Sequence, residues 1–459
     1  MQVNPNIFRE YDVRGVAERD LTDQTVQLLG RSFGTTVRRK GLKDVLVGMD
    51  NRSSSPRLKE ALTAGLVSTG CNVVDIGTVV TPILYFARVL YNTEAAVMIT
   101  GSHNPPEDNG FKIALGPGTI YGEQIQSLRR TIEAGDFLQG RGEISRADPV
   151  PGYMTTIREK ISLGPRKLKV AVDCGNGTGS YFAVDLISSL GCEVLDLYCN
   201  PDPSFPNHHP DPVKRKNLTH LIDLVLAKGA DLGVAFDGDA DRIGVVDDRG
   251  TVIWGDQLMA IFWREILGKH PGAPAIIEVK CSQALVDEVR RLGGKPVFYR
   301  TGHSLIKAKM KELQAPFTGE MSGHIFFADE YYGYDDGFYA AGRLLRLLSH
   351  SERPLSGLVA DLPRYYSTAE TRVPCPDEKK FDVVKSLQEY FRSTHEVIDV
   401  DGVRVLFGDG WGLVRASNTQ PVLVARCEAK TPERLEEITA TMQEALGRYP
   451  EVDPFDWEY

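Results

Sequence analysis

The stretch Ala95-Ala-Val-Met-Ile-Thr-Gly-Ser-His-Asn-Pro-Pro106 joins an apolar run to a polar loop, a pattern that recurs along the chain. The run from Ala95 to Thr100 has the composition of a buried strand. Gly101 then allows a sharp turn, and two consecutive prolines, which cannot continue a β-ladder, restrict the shape of the loop. We therefore expect Ser102 to be displayed at the end of a buried strand.

A displayed serine suggests a hydrolase, and two observations argue against that class. His103 is the next residue, and neighbours in an extended loop point to opposite sides, so we expect it to be badly placed as a base for Ser102. The G-x-S-x-G elbow of many hydrolases is absent. The stretch alone therefore leaves two possibilities open, a well-capped turn and a serine whose chemistry depends on residues elsewhere.

The same pattern of a strand followed by a polar loop recurs along the chain. A helix is predicted over Asp23–Lys40, and the predicted strands are Asp44–Asp50, Asn72–Gly77, Lys169–Asp173 and Asp231–Asp237. Alternating strands and helices predict an α/β fold with mostly parallel or mixed sheets flanked by helices. Because several strands end in Asp and lead into polar or Gly-rich loops, we expect related α/β units in tandem.

The length of 459 residues allows roughly three to four domains. Boundaries are predicted near residues 150 and 250 and between 365 and 375, which gives three tandem α/β domains (1–150, 151–250 and 251–367) and a C-terminal α+β domain (368–459). In the last domain we expect one helix, then strands at Val397–Phe407, Trp411–Arg415 and Val422–Glu428, and a final helix over Pro432–Arg448.

The composition limits the partners and the compartment. Lys and Arg total 53 against 62 Asp and Glu, a formal net charge of -9, which argues against nucleic acid or an anionic membrane as partner. Seven scattered cysteines without a C-x-x-C pair predict buried, reduced thiols. No signal-peptide pattern and no apolar run of about 18 residues occur. We expect a soluble cytoplasmic protein.

Asp237-Gly-Asp-Ala-Asp-Arg242 places three carboxylates at alternate positions. In an extended loop they would share one side, where three hard oxygen ligands suit a divalent cation such as Mg²⁺. An EF-hand would need Gly where Arg242 stands, and helices rather than strands on both sides. A solvated acidic turn is the alternative, and Ser102 favours the metal, because a phosphoryl oxygen is a common further ligand.

Four motifs together resemble one family, the α-D-phosphohexomutases, and most closely its bacterial phosphomannomutase/phosphoglucomutase branch. In chain order they are Thr100-Gly-Ser-His-Asn-Pro-Pro106, Asp237-Gly-Asp-Ala-Asp-Arg242, Gly319-Glu-Met-Ser-Gly-His324 and Arg415-Ala-Ser-Asn-Thr-Gln-Pro421. The resemblance covers essentially the whole chain, and four ordered motifs make it highly specific.

The resemblance implies a heart-shaped enzyme in which each of four domains brings one motif to a central cleft. It would reversibly interconvert hexose 1-phosphate and hexose 6-phosphate, of mannose, glucose or both. Ser102 would carry the phosphoryl group, and a hexose 1,6-bisphosphate would be the intermediate and activator. Mg²⁺ would be bound by Ser102, Asp237, Asp239 and Asp241. The expected partner is a small phosphosugar, with neither nucleic acid nor membrane, and we expect a monomer.

The resemblance also assigns the remaining site residues. Lys112, which we expect in the same loop system as Ser102, would serve with Arg14 and His324 in proton transfer and charge compensation. Substrate contacts would come from Tyr11, Arg242, Lys280, His303, Glu320, Ser322, Arg415, Ser417, Asn418 and Thr419. Glu320, Ser322 and His324 alternate, so an extended segment would present all three to one ligand.

The chain departs mildly from the family pattern at two positions. Several branches carry an acidic residue where Gln420 stands, which leaves the affinity for phosphate open, and close relatives often carry Lys at Arg300. Three alternatives also remain at this point. They are a phosphoglucosamine mutase, a metal-dependent sugar phosphatase, and a non-catalytic phosphosugar-binding protein, which would be expected to lack the nucleophile or a metal ligand.

Overall fold

The computed structural model describes residues 3–417 and 420–458, and these form two compact units. The chain up to Gly255, together with Ser322–Ala360, makes up the first unit. Asp256–Met321 and the chain from Asp361 onward make up the second. The domain boundaries near residues 150, 250 and 367 stay predictions.

Strands and helices alternate over much of the chain up to Ile253, as the sequence predicts, except that β4 to β6 and β10 to β12 follow one another without a helix. The strands are β1 (Val13–Val16), β2 (Asp44–Met49), β3 (Asn72–Thr78), β4 (Ala95–Ile99), β5 (Asp108–Leu115), β6 (Gly118–Thr119), β7 (Ile144–Arg146), β8 (Lys169–Asp173), β9 (Glu193–Leu197), β10 (Leu232–Phe236), β11 (Ile243–Asp247) and β12 (Val252–Ile253). The α-helices are α1 (Asp23–Arg39), α2 (Ser55–Val67), α3 (Thr81–Leu90), α4 (Glu123–Ala134), α5 (Val150–Lys160), α6 (Ala183–Ser189) and α7 (Thr219–Lys228).

The chain from Gly255 onward contains more helix before a strand-rich end. Its α-helices are α8 (Gly255–Lys269), α9 (Gln283–Arg291), α10 (His303–Leu313), α11 (Gly337–Ser349), α12 (Leu355–Val359), α13 (Lys380–Arg392) and α14 (Pro432–Leu446). Its strands are β13 (Pro274–Glu278), β14 (Lys295–Tyr299), β15 (Phe317–Gly319), β16 (Ile325–Phe327), β17 (Tyr366–Ser367), β18 (Thr371–Pro374), β19 (Glu396–Ile398), β20 (Val403–Leu406), β21 (Gly410–Ala416) and β22 (Val422–Ala429).

The first sheet runs in the order β1-β5-β4-β2-β3-β7, with β6 beside β5. β2 pairs in parallel with β3 and β4, while β5 is antiparallel to β4. All five residues of β4 are buried, as the apolar run predicts. Helix α1 covers the sheet with Leu29, Phe33 and Val37, whose spacing of four residues forms one apolar face.

The second sheet repeats the arrangement of the first. Its order is β12-β11-β10-β8-β9, with β8 parallel to β9 and β10, and β11 antiparallel to β10. The path β11-β10-β8-β9 therefore has the order and the directions of β5-β4-β2-β3, which supports the predicted tandem relation. Ser102 follows β4 and Asp237 follows β10, so the two side chains leave equivalent strands of the two sheets.

The second unit holds the parallel pair β13 and β14 and a C-terminal antiparallel sheet in the order β17-β22-β21-β20-β19, with β18 beside β22. Its core includes Leu387 of α13, Val405 and Val414 of the sheet, and Met442 of α14. The single strand predicted over Val397–Phe407 is wrong, because the chain turns between β19 and β20 and Gly402 has a φ of +82° there.

The sequence analysis also made predictions about the cysteines and about membrane-spanning segments. All seven cysteines are free thiols, and six of them are buried, while Cys199 is partly exposed. None of the helices in the described ranges has the length and hydropathy that crossing a bilayer requires.

Candidate active site

Ser102 lies just beyond β4, where the backbone turns back toward β5. Its φ of +49° is in the left-handed region, and its side chain is almost fully buried. The hydroxyl Oγ donates to Oδ2 of Asp237 at 2.7 Å, and the Ser102 N–H donates to Oγ1 of Thr100 at 2.8 Å. The serine therefore lies at the end of the buried strand, as the sequence predicts, and its hydroxyl is directed onto a carboxylate.

His103 lies on the same side as Ser102, and the predicted opposite orientation is wrong. Nδ1 of His103 is 3.1 Å from Oγ of Ser102, because the left-handed backbone at Ser102 replaces the extended geometry on which that prediction relied. Burial, with the nearby cations Arg242 and Arg14, lowers the pKa of His103 well below its usual range. The imidazole beside the serine is therefore neutral at physiological pH.

The three aspartates after β10 come together in the first unit. Oxygen atoms of Asp237, Asp239 and Asp241 all lie within 4.8 Å of one another, and all three side chains are fully buried. The segment that carries them is a turn with Ala240 at a φ of +54°, and not the extended loop that the alternation suggested. The carboxylates therefore converge through the turn geometry.

Lys112 supplies the positive charge that this cluster needs. It lies in strand β5 opposite Met98, and not in the serine loop as expected. Its Nζ donates to Oδ2 of Asp239 at 2.7 Å and also to Oδ2 of Asp241. Burial opposes the charged form, but Asp239 and Asp241 outweigh it and raise the pKa of Lys112 well above its usual range.

The buried environment shifts the pKa values of Asp237 and Asp239 in opposite directions. Burial and the other two carboxylates raise the pKa of Asp237 well above its usual range. At Asp239 burial acts in the same direction, but Lys112 outweighs it and lowers the pKa to about 2. Thr81, at the start of α3, adds a hydrogen bond from Oγ1 to Oδ2 of Asp239 at 2.5 Å.

The cluster fits a hard divalent cation. Oδ1 of Asp239 and Oδ1 of Asp241 are buried and accept no hydrogen bond from the residues that the structure describes. Buried carboxylate oxygens are costly to leave without a partner, and three carboxylates are a ligand set that Mg²⁺ and Ca²⁺ prefer. The residues present therefore match the predicted metal site.

His324 reaches the cluster from the segment that follows Ser322 in the first unit. The Ile243 N–H donates to the Gly323 carbonyl at 3.0 Å, which brings His324 alongside Arg242. Nε2 of His324 accepts from Nε of Arg242 at 2.9 Å. Because arginine only donates, Nε2 carries no proton, and the ring proton is on Nδ1.

Asp335 is a neighbour of this histidine that sequence reasoning missed. Nδ1 of His324 is 3.0 Å from Oδ2 of Asp335 and 3.5 Å from Oδ1 of Asp241. Asp335 is fully buried. Nδ1 of the imidazole thus lies between two carboxylates, one of which belongs to the candidate metal cluster.

Arg14 and Tyr11 lie near the N-terminus of the first unit. Arg14, in β1, donates from Nη1 to Oδ1 of Asn104 at 3.0 Å and pairs with Asp12. It therefore contacts the serine loop through Asn104. Tyr11 is half-buried in the bend before β1, and Ser322 is half-buried in a turn.

In the second unit, Lys280 lies directly after β13 and is nearly buried. Its Nζ is 2.9 Å from Oε2 of Glu370 and 3.6 Å from Oε1 of Glu278. Burial opposes the charge, but the two glutamates outweigh it and raise the pKa of Lys280. Lys280 in turn lowers the pKa of Glu370 to about 2.

Glu320 is held by the loop that precedes α10. Its Oε1 accepts from the Gly302 N–H at 2.7 Å, directly before the half-buried His303. The expectation that residues 320–324 form an extended segment is wrong, because the chain turns there and Gly323 has a φ of +87°. Alternation therefore does not explain how these side chains are directed.

Asp401 connects two of the predicted substrate contacts in the second unit. Its Oδ2 accepts from the Thr301 N–H at 3.0 Å and from Nε of Arg415 at 2.9 Å. Arg415 in β21 is thereby tied to the loop that carries His303.

The loop after β21 is described only in part. Ser417 is buried, and its Oγ accepts from the Gln420 N–H at 3.2 Å. Arg372 donates to the side-chain oxygen of Gln420, and Lys380 donates to its carbonyl at 3.0 Å. The predicted contacts Asn418 and Thr419 lie outside the described residues.

Sequence reasoning missed the residues that hold the predicted ones in place, namely Thr81, Asp335, Glu278 and Asp401. One sequence feature could have pointed to Glu278: it is an acidic residue at the end of a strand, as Asp173 is. Thr81 and Asp401 had no such feature, because their contacts join distant parts of the chain; Thr81 and Asp239 are 158 residues apart. Asp335 lies close to His324 in the sequence, but no spacing pattern marks that contact.

Comparison with known proteins places this chain in a class. Four family models of the phosphoglucomutase/phosphomannomutase type match in order: α/β/α domain I at residues 5–139, domain II at 151–250, domain III at 254–366 and the C-terminal domain at 370–445. The class is thus that of enzymes built from three α/β/α domains and a distinct C-terminal domain.

Individual relatives define the family. A phosphomannomutase/phosphoglucomutase of Pseudomonas aeruginosa is 46% identical over 442 residues, which cover 96% of this chain and 95% of that protein. A phosphoglucomutase of Neisseria meningitidis is 42% identical, covering 97% of this chain and 98% of the relative. A crystal structure of a phosphoglucomutase/phosphomannomutase family protein from Burkholderia thailandensis has a TM-score of 0.93 at 41% identity, covering 99% of this chain and all of that one. The chain belongs to the phosphoglucomutase/phosphomannomutase family, whose members are isomerases.

Proposed function

We propose that this enzyme reversibly interconverts hexose 1-phosphate and hexose 6-phosphate, with mannose, glucose or both as the sugar. Ser102 carries the phosphoryl group. It donates that group to the free hydroxyl of the substrate, and the resulting hexose 1,6-bisphosphate turns end for end and returns its other phosphate to Ser102. The observation that carries the proposal is the 2.7 Å contact between Oγ of Ser102 and Asp237, inside a buried cluster that also holds Lys112.

Asp237, Asp239 and Asp241 would hold Mg²⁺ together with an oxygen of the phosphoryl group on Ser102. The buried Oδ1 atoms of Asp239 and Asp241 support this assignment. When bound, the ion would draw negative charge from the phosphoryl oxygens, where charge neutralisation favours transfer.

The chain's own residues provide the remaining chemistry. The burial of Ser102 keeps water from its phosphoryl group, so that transfer to a sugar is favoured over hydrolysis. Nζ of Lys112 and Nδ1 of His324 carry protons at the border of the carboxylate cluster. We propose that these two groups exchange protons with the reacting hydroxyl, and that Arg14, which keeps its charge, serves in charge compensation.

The other predicted residues would select the substrate. We propose that Lys280, His303, Glu320 and Ser322 bind the sugar and its hydroxyls, with Tyr11 and Arg242 as further contacts. Arg415, Ser417, Asn418 and Thr419 would bind the phosphate that is not transferred. The ion pair of Arg415 with Asp401 supports this role, since it orients a guanidinium for charge-assisted hydrogen bonds.

The relatives favour this function over its alternatives. Their names are phosphomannomutase/phosphoglucomutase and phosphoglucomutase, and the nucleophile and all three carboxylates are present in this chain. A sugar phosphatase, a phosphoglucosamine mutase and a non-catalytic binding protein each explain fewer of these observations. We further propose that the protein is a monomer and that it is cytoplasmic; the free thiols support the second of these proposals.

A coupled assay tests the proposal directly. Wild-type protein is compared with Ser102→Ala on mannose 1-phosphate, glucose 1-phosphate and glucosamine 1-phosphate, with Mg²⁺ and the matching bisphosphate present. We expect turnover of the mannose or glucose substrate, and a loss of at least about 1,000-fold in Ser102→Ala because the phosphoryl carrier is gone.

The control is Ser127→Ala, an exposed serine in α4 whose loss should leave turnover unchanged. Near-wild-type mutase turnover in Ser102→Ala would contradict the mechanism. Release of free phosphate at the mutase rate would instead support a phosphatase, and turnover of the glucosamine substrate alone would support the other mutase.

A further inference from the structure

Arg52 lies beneath the Ser102 loop and is almost fully buried. Its guanidinium donates to four backbone carbonyls of that loop. Nη2 donates to the carbonyls of Ser102 at 2.8 Å and Asn104 at 2.7 Å, and Nη1 donates to those of Asp108 at 2.9 Å and Pro105. One side chain therefore holds both ends of the loop that carries the serine.

Asp50 fixes the position of this guanidinium. Its Oδ2 is 3.3 Å from Nε of Arg52 and also accepts from the Gly101 N–H at 3.1 Å. A Cβ on Gly101 would lie 2.5 Å from the guanidinium carbon, so the absence of a side chain there is required for this packing. Gly101 and Asp50 thus belong to the same support.

The direction of the four carbonyl groups bound by Arg52 matters for a phosphoryl group on Ser102. A phosphoserine carries a charge of roughly -1.5 to -2 at pH 7, so carbonyl oxygens that faced it would repel it. The four carbonyls bound by Arg52 point their negative ends at the guanidinium. Ser102 meanwhile keeps the left-handed backbone that directs its Oγ to Asp237.

We propose that Arg52 is a positioning residue for Ser102: it holds the loop in the one conformation in which the serine can both accept and donate the phosphoryl group. The inference rests on the proposed function and adds a residue to it. Arg52 contacts the backbone carbonyls of the loop, the Asp50 carboxylate and the Phe205 ring, whose centroid is 5.2 Å from the guanidinium carbon. None of these contacts is to the Ser102 side chain, so Arg52 acts through the position of Ser102.

Arg88 provides a matched control within the same pair of strands. It donates to the carbonyls of Glu94 and Gly116, which lie just before β4 and just after β5, at the end of the strands opposite to Ser102. Replacing Arg88 disturbs the same type of arginine–carbonyl support without touching the serine loop.

The experiment measures kcat, KM and Tm for wild type, Arg52→Lys, Arg52→Ala, Arg88→Lys and Arg88→Ala. We expect Arg52→Lys to lower kcat about 100-fold, because a serine displaced by about 1 Å is badly aligned for transfer. KM for the hexose phosphate should stay within about threefold of wild type, since binding is not altered. Arg88→Lys should lose a similar amount of Tm and keep kcat within about threefold.

Guanidinium ion at millimolar concentration gives a second readout that a merely structural role would not move. It should restore kcat of Arg52→Ala by about tenfold or more, and should not change kcat of Arg88→Ala. If Arg52→Ala does not fold, Arg52→Lys decides the question.

Two results would overturn the inference. One is an active wild type whose Arg52 variants keep kcat within about threefold, and the other is an equal loss of kcat in the Arg52 and Arg88 variants. A wild-type protein that does not interconvert hexose phosphates would instead contradict the proposed function, so the two failures are distinguishable.

Discussion

At the residue scale, Lys112 determines the charge balance of the carboxylate cluster. It is the cation that contacts both Asp239 and Asp241, and all three side chains are buried. Buried carboxylates that lose their counter-charge must either be protonated or be paired with a metal ion. The stability of the metal-free protein should therefore depend on this one lysine.

Lys112→Met is expected to lower the free energy of unfolding by about 3–5 kcal/mol in the presence of a chelator, the usual cost of removing one partner of a buried ion pair. Added Mg²⁺ should raise Tm more in the variant than in wild type, because the ion replaces the missing charge. Thermal unfolding with and without Mg²⁺ measures both effects.

The control for that measurement is Lys59→Met. Lys59 forms a partly exposed pair with Asp75 at 2.8 Å, and its loss should cost less than about 1 kcal/mol. Equal Tm values for Lys112→Met and wild type in chelator would show that the lysine does not compensate the cluster.

The sequence predicted the cluster of the three aspartates, because residue types and order carry that information. It gave the wrong orientation for His103 and the wrong geometry for residues 237–242, because both depend on left-handed residues, Ser102 and Ala240, that no local pattern marks. The roles assigned to the individual site residues stay predictions.

At the element scale, the start of α11 links the segment 322–360 to the metal-binding turn. The Gly337 N–H donates to the Ala240 carbonyl at 3.1 Å, and Phe338 packs edge-to-face on Phe236. The adjacent Asp336 caps the helix by accepting from the Tyr339 N–H at 2.9 Å. A change at the helix start therefore reaches the turn that holds Asp239 and Asp241.

Asp336 is buried and bound by two tyrosine hydroxyls, those of Tyr153 and Tyr331, each at 2.9 Å. Burial raises its pKa to about 6. This pKa exceeds that of an aspartate in the unfolded chain, about 3.9. Between these two pH values the folded protein therefore keeps a proton on Asp336 that the unfolded chain has lost. Stability from this group is present at low pH and is lost as the pH rises from about 4 to about 6, by about 3 kcal/mol.

Asp336→Asn should remove this pH dependence and keep the helix cap, since an amide oxygen can accept the same backbone hydrogen bond. We expect the Tm of the variant to rise relative to that of wild type between pH 4 and pH 6, because only the wild type loses stability there. Asp148→Asn, an exposed aspartate that binds the Val150 N–H at the start of α5, is the control. Parallel curves for wild type and Asp336→Asn would refute the assignment.

Gly238 controls how closely the metal-binding turn approaches the serine loop. A Cβ there would lie 2.3 Å from the Ser102 carbonyl oxygen, so any side chain must separate the two loops. Gly238→Ala is expected to lower kcat about 100-fold through this displacement. Steady-state kinetics at saturating Mg²⁺ measure the effect.

Gly268→Ala is the matched substitution for that experiment. A Cβ at Gly268 meets no atom within 4 Å, so the change should leave kcat alone and stabilise α8 by up to about 1 kcal/mol. If Gly238→Ala has wild-type kcat, the close approach of the two loops is not required for transfer.

At the scale of the whole molecule, the repeated strand order explains why the sequence predicted the fold well. Each strand–Asp–loop pattern belongs to a sheet of the same topology, and β4 and β10 deliver Ser102 and Asp237 from equivalent positions. Strands and helices are set by local periodicity, which a sequence records. The contacts of Arg52 with the Ser102 loop and of Asp401 with Thr301 join distant segments, and for that reason they became visible only in the folded chain.

The phosphorylation of Ser102 during turnover is the most direct test of the proposed mechanism. The protein is incubated with Mg²⁺ and glucose 1,6-bisphosphate, and peptide mass spectrometry measures the phosphoryl group on each serine before and after excess glucose 6-phosphate is added. We predict that Ser102 alone gains a phosphoryl group, and that the sugar monophosphate removes it at least as fast as the enzyme turns over. Continued mutase turnover with Ser102 unmodified, or a phosphoryl group that stays on Ser102 when the sugar monophosphate is added, would contradict the proposed phosphoserine mechanism.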